Sequence, residues 1–426
     1  MNDSTCVQGL SELLLALPEF ILTDARIDEH NELVAHIELP RDVQACPECG
    51  VIELHPLHDW RIHNLRHLPV AGRACRLKWR KRLLACTSGC GTFVERTPSI
   101  APGAVWTRAA ARAAVAASAE NIPIDRIRRE YGVSWNTVMR AVLAAAEQLA
   151  PVTASRVGID ETVMTTGRLT SRRRQFLTAL VCLETSLVIA VTQGRDRASA
   201  ARLLAKFAPD AQVVALDLFS GYKSAADALE DAVIVADVFH LIRLGLQALD
   251  EVRRRRQQQI HGHRGQKDDP LFKLRRVLRV AQERLDEDTL AKIFDRLRQA
   301  DTDDEVGAAW VAVDLLRRVY QAPDRDTAHR RLIAFYEWVV HVDIDELTRL
   351  ATTIDRWQEQ VLAFFDTRAT NAATESANVK IKSIRRAARG FRNPGNYAAR
   401  IHIHAGQPRK LPTTTRIRTY TLTTAA

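Results

Sequence analysis

The 426-residue sequence has no apolar run approaching the roughly 18 consecutive residues that a membrane span requires. Its first residues, Met1-Asn2-Asp3-Ser4, lack the basic stretch and apolar core of a secretory leader. Leu10 to Leu22 is apolar, but Glu12, Pro18 and Glu19 interrupt it, so a short amphipathic helix is expected there. Acidic residues are in deficit, 51 against 61 lysines and arginines, a formal net charge of +10. That balance favours a polyanionic partner. With no membrane segment, the default partner is nucleic acid and the default compartment the cytoplasm. The length allows two or three domains. A content of 46% hydrophobic and 26% charged residues is ordinary for a globular chain.

Seven cysteines are present, and four fall into two close pairs, Cys46/Cys49 and Cys86/Cys90. Without a leader, paired spacing points to metal rather than disulfide. Four thiolates in tetrahedral array suit one structural zinc ion. The gap between the pairs is longer than in the commonest ribbons, and two unrelated reduced pairs would look the same. His55, His58, His63 and His67 are alternative ligands, read here as surface or DNA-facing residues. Cys6, Cys75 and Cys182 read as buried small hydrophobes. Leu33 to Leu39 reads as a strand, and Arg61 to Leu84 as two or three short ones. Arg73, Arg76, Lys78, Arg80, Lys81 and Arg82 surround Trp79 there. Such a run is either a solvated face or, beside a ribbon, a phosphate contact.

Pro98 to Gly103 reads as a linker and Thr107 to Ala119 as an alanine-rich helix. Ile124 to Tyr131, Gly132, then Ser134 to Leu149 reads as helix, turn, capped helix. That is the helix-turn-helix pattern, which any helical hairpin can imitate. It would place Ser134, Trp135, Asn136 and Arg140 near the exposed start of a DNA-reading helix.

From Arg156 the texture changes to strands. Val157-Gly158-Ile159-Asp160-Glu161-Thr162 alternates like a short buried strand, with Asp160 where it would end. Gln175 to Leu183 and Leu187 to Val191 read as a hairpin, and Asp196 to Phe207 as an amphipathic helix. Gln212 to Leu216 is a further strand, ending in Asp217. A helix near Tyr222 to Leu229 and a strand at Ala232 to Ala236 follow. Each aspartate alone reads as a turn or cap residue. Together, two charged strand ends point to carboxylates meeting over a metal. The order of elements matches a ribonuclease H-like α/β fold, whose first and fourth strands lie side by side.

Asp237 to about Arg368 holds no convincing strand and reads as an all-helical insertion, opening with Asp237-Val238-Phe239-His240. It also carries the basic run Arg253 to Arg256. Thr370 then opens a helix that ends at Gly390. One face carries Glu375, Asn378, Lys382, Arg385 and Arg389, with Arg386 beside them. This is either a carboxylate flanked by phosphate-binding cations or a solvent-exposed helix with a dipole-favoured Glu.

The run Thr374-Glu375-Ser376-Ala377-Asn378 through Gly390-Phe391-Arg392-Asn393-Pro394-Gly395-Asn396-Tyr397 resembles the C-terminal signature of bacterial insertion-sequence transposases of the ISL3 family. The cysteine pairs, Gly158-Ile159-Asp160-Glu161, the Asp217 strand followed by Tyr222, and Asp237-Val238-Phe239-His240 resemble that family too. Leu218-Phe219-Ser220 and Cys182 depart from its pattern and leave the hairpin register open.

The resemblance implies a triad of Asp160, Asp217 and Glu375 holding two magnesium or manganese ions. It also implies an auxiliary motif of Asp237 and His240. The expected activity is a DDE transposase that binds terminal inverted repeats, cleaves the ends and transfers the 3′-hydroxyl to target DNA. A homodimer or higher oligomer on DNA, associated with the nucleoid, is expected. Two rival readings are a zinc-ribbon DNA-binding regulator with an inert strand domain, and a nuclease that never joins strands.

The implied segments are residues 1–98 for the ribbon, 99–152 for the helix-turn-helix and 153–236 for the first part of the sheet domain. Residues 237–368 would be the insertion, 369–405 the helix completing the sheet domain, and 406–426 a tail.

Overall fold

A computed structural model describes residues 14–165, 175–263 and 265–407. Cys6 and the first part of the expected Leu10–Leu22 helix lie outside the described residues. The chain divides into two compact units, one taking residues up to 150 together with 381–407, the other residues 151 to 380. Among the described residues, no helix is long and apolar enough to cross a membrane.

The first unit opens with β1 (Ile21–Ile27) and β2 (Leu33–Glu38), so the end of the expected helix is strand instead. β3 (Gln44–Ala45) and β4 (Ile52–Glu53) flank the first cysteine pair. β5 (Leu57–Val70), β6 (Arg73–Ala85) and β7 (Thr92–Val94) complete a sheet of order β1-β2-β6-β5, with β7 on β6. Where two or three short strands were expected, one long hairpin stands. Ala71 and Gly72 both adopt positive φ, +48° and +75°, as a two-residue turn matched to strand twist requires. Trp79 is buried in this sheet with the ring of Phe20 edge-on at 5.3 Å. The basic run around it is largely paired: Arg76 with Asp28 and Glu32, Arg80 with Glu38, Arg82 with Glu95.

Three helices follow: α1 (Arg108–Ala119), α2 (Ile124–Tyr131) and α3 (Trp135–Glu147). Gly132 turns the chain at φ +63°, and Ser134 Oγ caps α3 by accepting from Thr137 N at 3.1 Å. Val138, Met139 and Val142 of α3 pack against Ile124, Ile127 and Tyr131.

In the second unit, β8 (Arg156–Thr165), β9 (Gln175–Cys182) and β10 (Val188–Gln193) run antiparallel, and α4 (Arg197–Phe207) follows. β11 (Val213–Leu216) pairs in parallel with β8 and with β12 (Val233–Ala236), and α5 (Ser220–Ala226) lies between them in sequence. The sheet order is β10-β9-β8-β11-β12. Its hairpin register is now set: Cys182 faces Val157 and its N–H reaches Leu187 O at 2.9 Å.

From β12 the chain passes directly into α6 (Val238–His261), then α7 (Pro270–Leu274), α8 (Glu287–Ala300), α9 (Glu305–Tyr320), α10 (Arg325–Val342), α11 (Asp345–Arg356) and α12 (Gln358–Thr367). These helices are not a separate globule. One continuous apolar cluster runs from Val157, Ile159 and Leu216 through Leu241, Trp310 and Phe335 to Phe365. The Arg253–Arg256 run, exposed-looking in sequence, stitches that cluster's rim. Arg253 and Arg256 are buried, and Arg255 bonds Glu346 Oε1 at 2.8 Å and also pairs with Glu305.

Last come α13 (Ala372–Ala387) and α14 (Pro394–Ala405). Residues 369–405 were read as one piece completing the sheet domain, yet α14 packs in the first unit, its Ala399 and Ile403 on the apolar cluster of α1 to α3. Arg400, buried, donates to Ser118 O at 2.7 Å and Ile122 O at 3.2 Å, and burial lowers its pKa to about 10. The run Gly390 to Tyr397 builds the reversal between the helices. Gly390 takes φ +104°, Asn393 Oδ1 caps α14 at Asn396 N, Phe391 stacks on Tyr397 at 4.4 Å, and the Tyr397 hydroxyl donates to Ile381 O at 2.9 Å.

Candidate active site and zinc ribbon

The two cysteine pairs converge. One ligand atom from each of Cys46, Cys49, Cys86 and Cys90 lies within 4.8 Å of the others. Gly50, Gly89 and Gly91 hold positive φ beside them, and Gly50 N–H closes the first knuckle on Cys46 O at 2.9 Å. Backbone N–H groups of Cys90 and Ser88, aimed at the Cys86 sulfur, pull that thiol down to about 6, while hydrogen bonds to the sulfurs of Cys49 and Cys86 push Cys90 up to about 12. Four sulfurs so close cannot all ionise without a cation among them, and a soft thiolate set of this kind fits zinc.

Two of the four histidines are neither ligands nor surface residues. His55 is buried with its ring edge-on to Phe93 at 4.9 Å. Its Nδ1 accepts from Thr87 N, so Nε2 carries the proton and donates to Gln44 O at 3.1 Å. It therefore ties the two knuckles together. His67 is buried between Thr107 Oγ1 and Leu15 O, and burial lowers its pKa. A histidine's burial carries no signature in its own sequence neighbourhood, which is why both were misplaced.

On the helix-turn-helix, Ser134, Trp135, Asn136 and Arg140 are all exposed at the start of α3. Trp135 keeps 38% of its surface in solvent, unusual for so large an apolar side chain that does not meet a partner.

The sheet aligns three aspartates. Ile159 pairs with Leu216, and Leu216 with Ala236, each on the last rung of its parallel ladder. Asp160, Asp217 and Asp237 are the next residues on three adjacent strands. Asp160 is not at a strand end, as expected, because β8 continues to Thr165 against β9. It stands one residue past the last rung that β8 shares with β11. Burial, and then the charge of Asp217, push Asp160 up to about 7.

Asp237 caps α6 by accepting from His240 N at 3.2 Å. His240 Nδ1 lies 2.5 Å from Asp237 Oδ2 and 2.9 Å from Asp217 Oδ1. Burial lowers the His240 pKa, but its bonds to Asp217 and Asp237 outweigh that and hold it at about 9. An imidazolium therefore stands between two carboxylates at neutral pH. Asp217, Asp237 and His240 offer ligand atoms within 4.8 Å of one another. Glu375 is exposed and outside that set, as is Asp160. Lys382, Arg386 and Arg389 are exposed and Arg385 is half-buried.

Sequence reasoning set Asn378 on the Glu375 face without a partner, and it missed Asn371. Asn378 Nδ2 donates to Asp160 Oδ2 at 2.5 Å and Asn371 Nδ2 to Asp217 Oδ1 at 3.3 Å. Glu375 lies between them on α13, four residues from Asn371 and three from Asn378, hence on the same side of the helix. The missed signal was that spacing. Tyr222 is wholly buried, its hydroxyl 3.0 Å from Thr178 Oγ1 and 3.4 Å from Glu161 Oε2.

Gly158 explains how α13 comes so close. A Cβ there would sit 2.1 Å from Thr374 Oγ1 and 2.8 Å from Asn371 Oδ1. Gly158→Ala is expected to displace α13 and cost about 1–3 kcal/mol of stability, seen as a lower thermal midpoint.

Four converging cysteines, a capped helix-turn-helix and aspartates aligned across three adjacent strands are the marks of a DNA-binding protein with a zinc ribbon and an acidic site. A family model described as a transposase matches residues 157–401, more than half the chain. Residues 42–90 match the zinc-finger of transposase IS204/IS1001/IS1096/IS1165, and residues 95–146 match the helix-turn-helix domain of transposase family ISL3. The chain belongs to the ISL3 family of transposases and is a DNA transposase with a zinc ribbon and a helix-turn-helix domain. No curated protein matches in sequence. Among solved structures, the Drosophila P element transposase strand transfer complex is similar at 12% identity and a TM-score of 0.36, over 69% of this chain and 91% of that one.

Proposed function

We propose that this transposase binds the terminal inverted repeats of an insertion sequence, cleaves DNA at those ends and passes the freed 3′-hydroxyl to target DNA. The observation that carries this is the shared rung: Asp160 and Asp217 leave the ladder together, directly after Ile159 and Leu216. The sheet order, with the first and fourth strands of the domain paired in parallel, supports reading it as ribonuclease H-like.

Asp160, Asp217 and Glu375 would hold two magnesium or manganese ions. The fit rests on charge and donor type. The charge of Asp217 helps push Asp160 up to about 7, a repulsion that a cation would relieve, and carboxylate oxygens suit hard cations. Such ions supply the charge stabilisation that in-line phosphoryl displacement needs. The chain's own residues orient the site. His240 bridges Asp217 and Asp237, meeting one carboxylate oxygen of each. Lys382, Arg385, Arg386 and Arg389 are assigned to the phosphates of the DNA.

Ser134, Trp135, Asn136 and Arg140 are assigned to reading the repeat. Arg140→Ala is expected to weaken end binding by about 1–3 kcal/mol. Titration of labelled end DNA at several salt concentrations checks this. An unchanged affinity would remove Arg140 from the interface. Because two ends must be joined, the working form is a dimer or higher assembly on DNA.

The test uses purified protein, magnesium or manganese, and labelled DNA carrying the flanking ends. Cleavage and joining are expected. Binding with no metal-dependent cleavage would favour a regulator, and cleavage that never yields joined products a nuclease.

A further inference from the structure

Helix α13 brings more than Glu375 to the sheet. Asn371, Thr374 and Asn378 fall at i, i+3 and i+7, a single stripe, and all three are buried. Both amide nitrogens are spent on the aspartates, Asn378 on Asp160 and Asn371 on Asp217. Yet Asn371 Oδ1, Thr374 Oγ1 and Asn378 Oδ1 are buried with no hydrogen-bond partner. A buried acceptor without a donor is destabilising. Packing alone would be better served by apolar side chains of the same shape. An ionised carboxylate also sets which way each amide faces, because only the NH₂ end can point at it.

We propose that Asn371 and Asn378 are positioning residues for the metal-holding carboxylates. Each amide fixes the rotamer of one aspartate without neutralising it. Asp160 and Asp217 are thus aimed correctly only when α13, which also bears Glu375, is seated over Gly158. A lysine or arginine in either place would compete with a cation for the same charge; a neutral amide does not. The proposal rests on the reading of Asp160 and Asp217 as metal ligands.

The test uses the full-length, zinc-loaded chain as Asn371→Leu and Asn378→Leu, with Asp217→Asn alongside. Leucine removes the donor and the orphaned acceptor together, so melting temperatures are expected to stay level or rise. Manganese affinity, measured by calorimetry, is expected to fall about 10- to 100-fold. The manganese concentration giving half-maximal cleavage of labelled end DNA should rise by the same factor, with activity largely restored at saturation. A lower melting temperature with unchanged manganese affinity would make the amides structural and overturn the proposal. Should a leucine variant fail to fold, Asn378→Ser retains a shorter donor. Weakened manganese affinity in it supports the proposal, and parental affinity overturns it. Normal cleavage by Asp217→Asn would instead sink the underlying site. A dead Asp217→Asn beside leucine variants of parental manganese affinity would sink only the positioning role.

Discussion

Asp217→Asn is expected to abolish both cleavage of the element's ends and strand transfer, while end binding stays at the parental level. The substitution keeps size and shape, so the β11 ladder and the site's packing survive. It removes a charge at the point where Asp160 and Asp217 face each other. Losing a metal ligand forfeits several kcal/mol of transition-state stabilisation, about 10³-fold or more in rate. Single-turnover cleavage of labelled DNA with magnesium or manganese measures this, with a gel-shift control for binding. Parental cleavage would mean that the row of aspartates is structural. A mutant that neither cleaves nor binds would mean that Asp217 supports the fold of more than its own site.

Removing zinc should have the other large effect. Cys86 is buried, its sulfur 3.7 Å from that of Cys49. Cys86→Ser or a strong chelator is expected to lower zinc content from one per chain to below one. It should also unfold β3, β4 and β7, which have little apolar core beyond Leu84, Phe93 and the cysteines themselves. Zinc binding to small domains is worth on the order of 10 kcal/mol of folding free energy. Hydrogen exchange should therefore show loss of protection in residues 42–53 and 86–95 and persistence in the middle of β5 and β6 and in the sheet of the second unit. Unchanged protection after complete zinc removal would show that β5 and β6 hold the ribbon unaided.

Much of this was legible from local chemistry. Cysteine spacing marked the knuckles, Ser134 and Gly132 marked the capped turn, and Asp160, Asp217 and the Asp237–His240 pair stood out as charges beside apolar runs. Cap residues and strand-end charges act over a few positions, so they can be read from a few positions. What was not legible depended on partners far away in sequence. Asp160 sits mid-strand because β9 continues where β11 stops. The basic run Arg253 to Arg256 gave no sign of its partners, acids about 50 residues later such as Asp303 and Glu305, which pair with Arg256. Asn371 lacked any charge to draw notice, and only the fold shows which carboxylates it and Asn378 meet. Glu375 stood out as an acid opening a basic helix face, and its side chain is exposed.

The helix-turn-helix core is assembled from both ends of the chain. Ala399, Arg400 and Ile403 of α14 close it, and the Arg400 guanidinium caps carbonyls at the end of α1. During synthesis these residues emerge from the ribosome about 250 positions after α3. Until then, the would-be DNA reader lacks one wall of its core. Translation through α14 is therefore needed to finish that core.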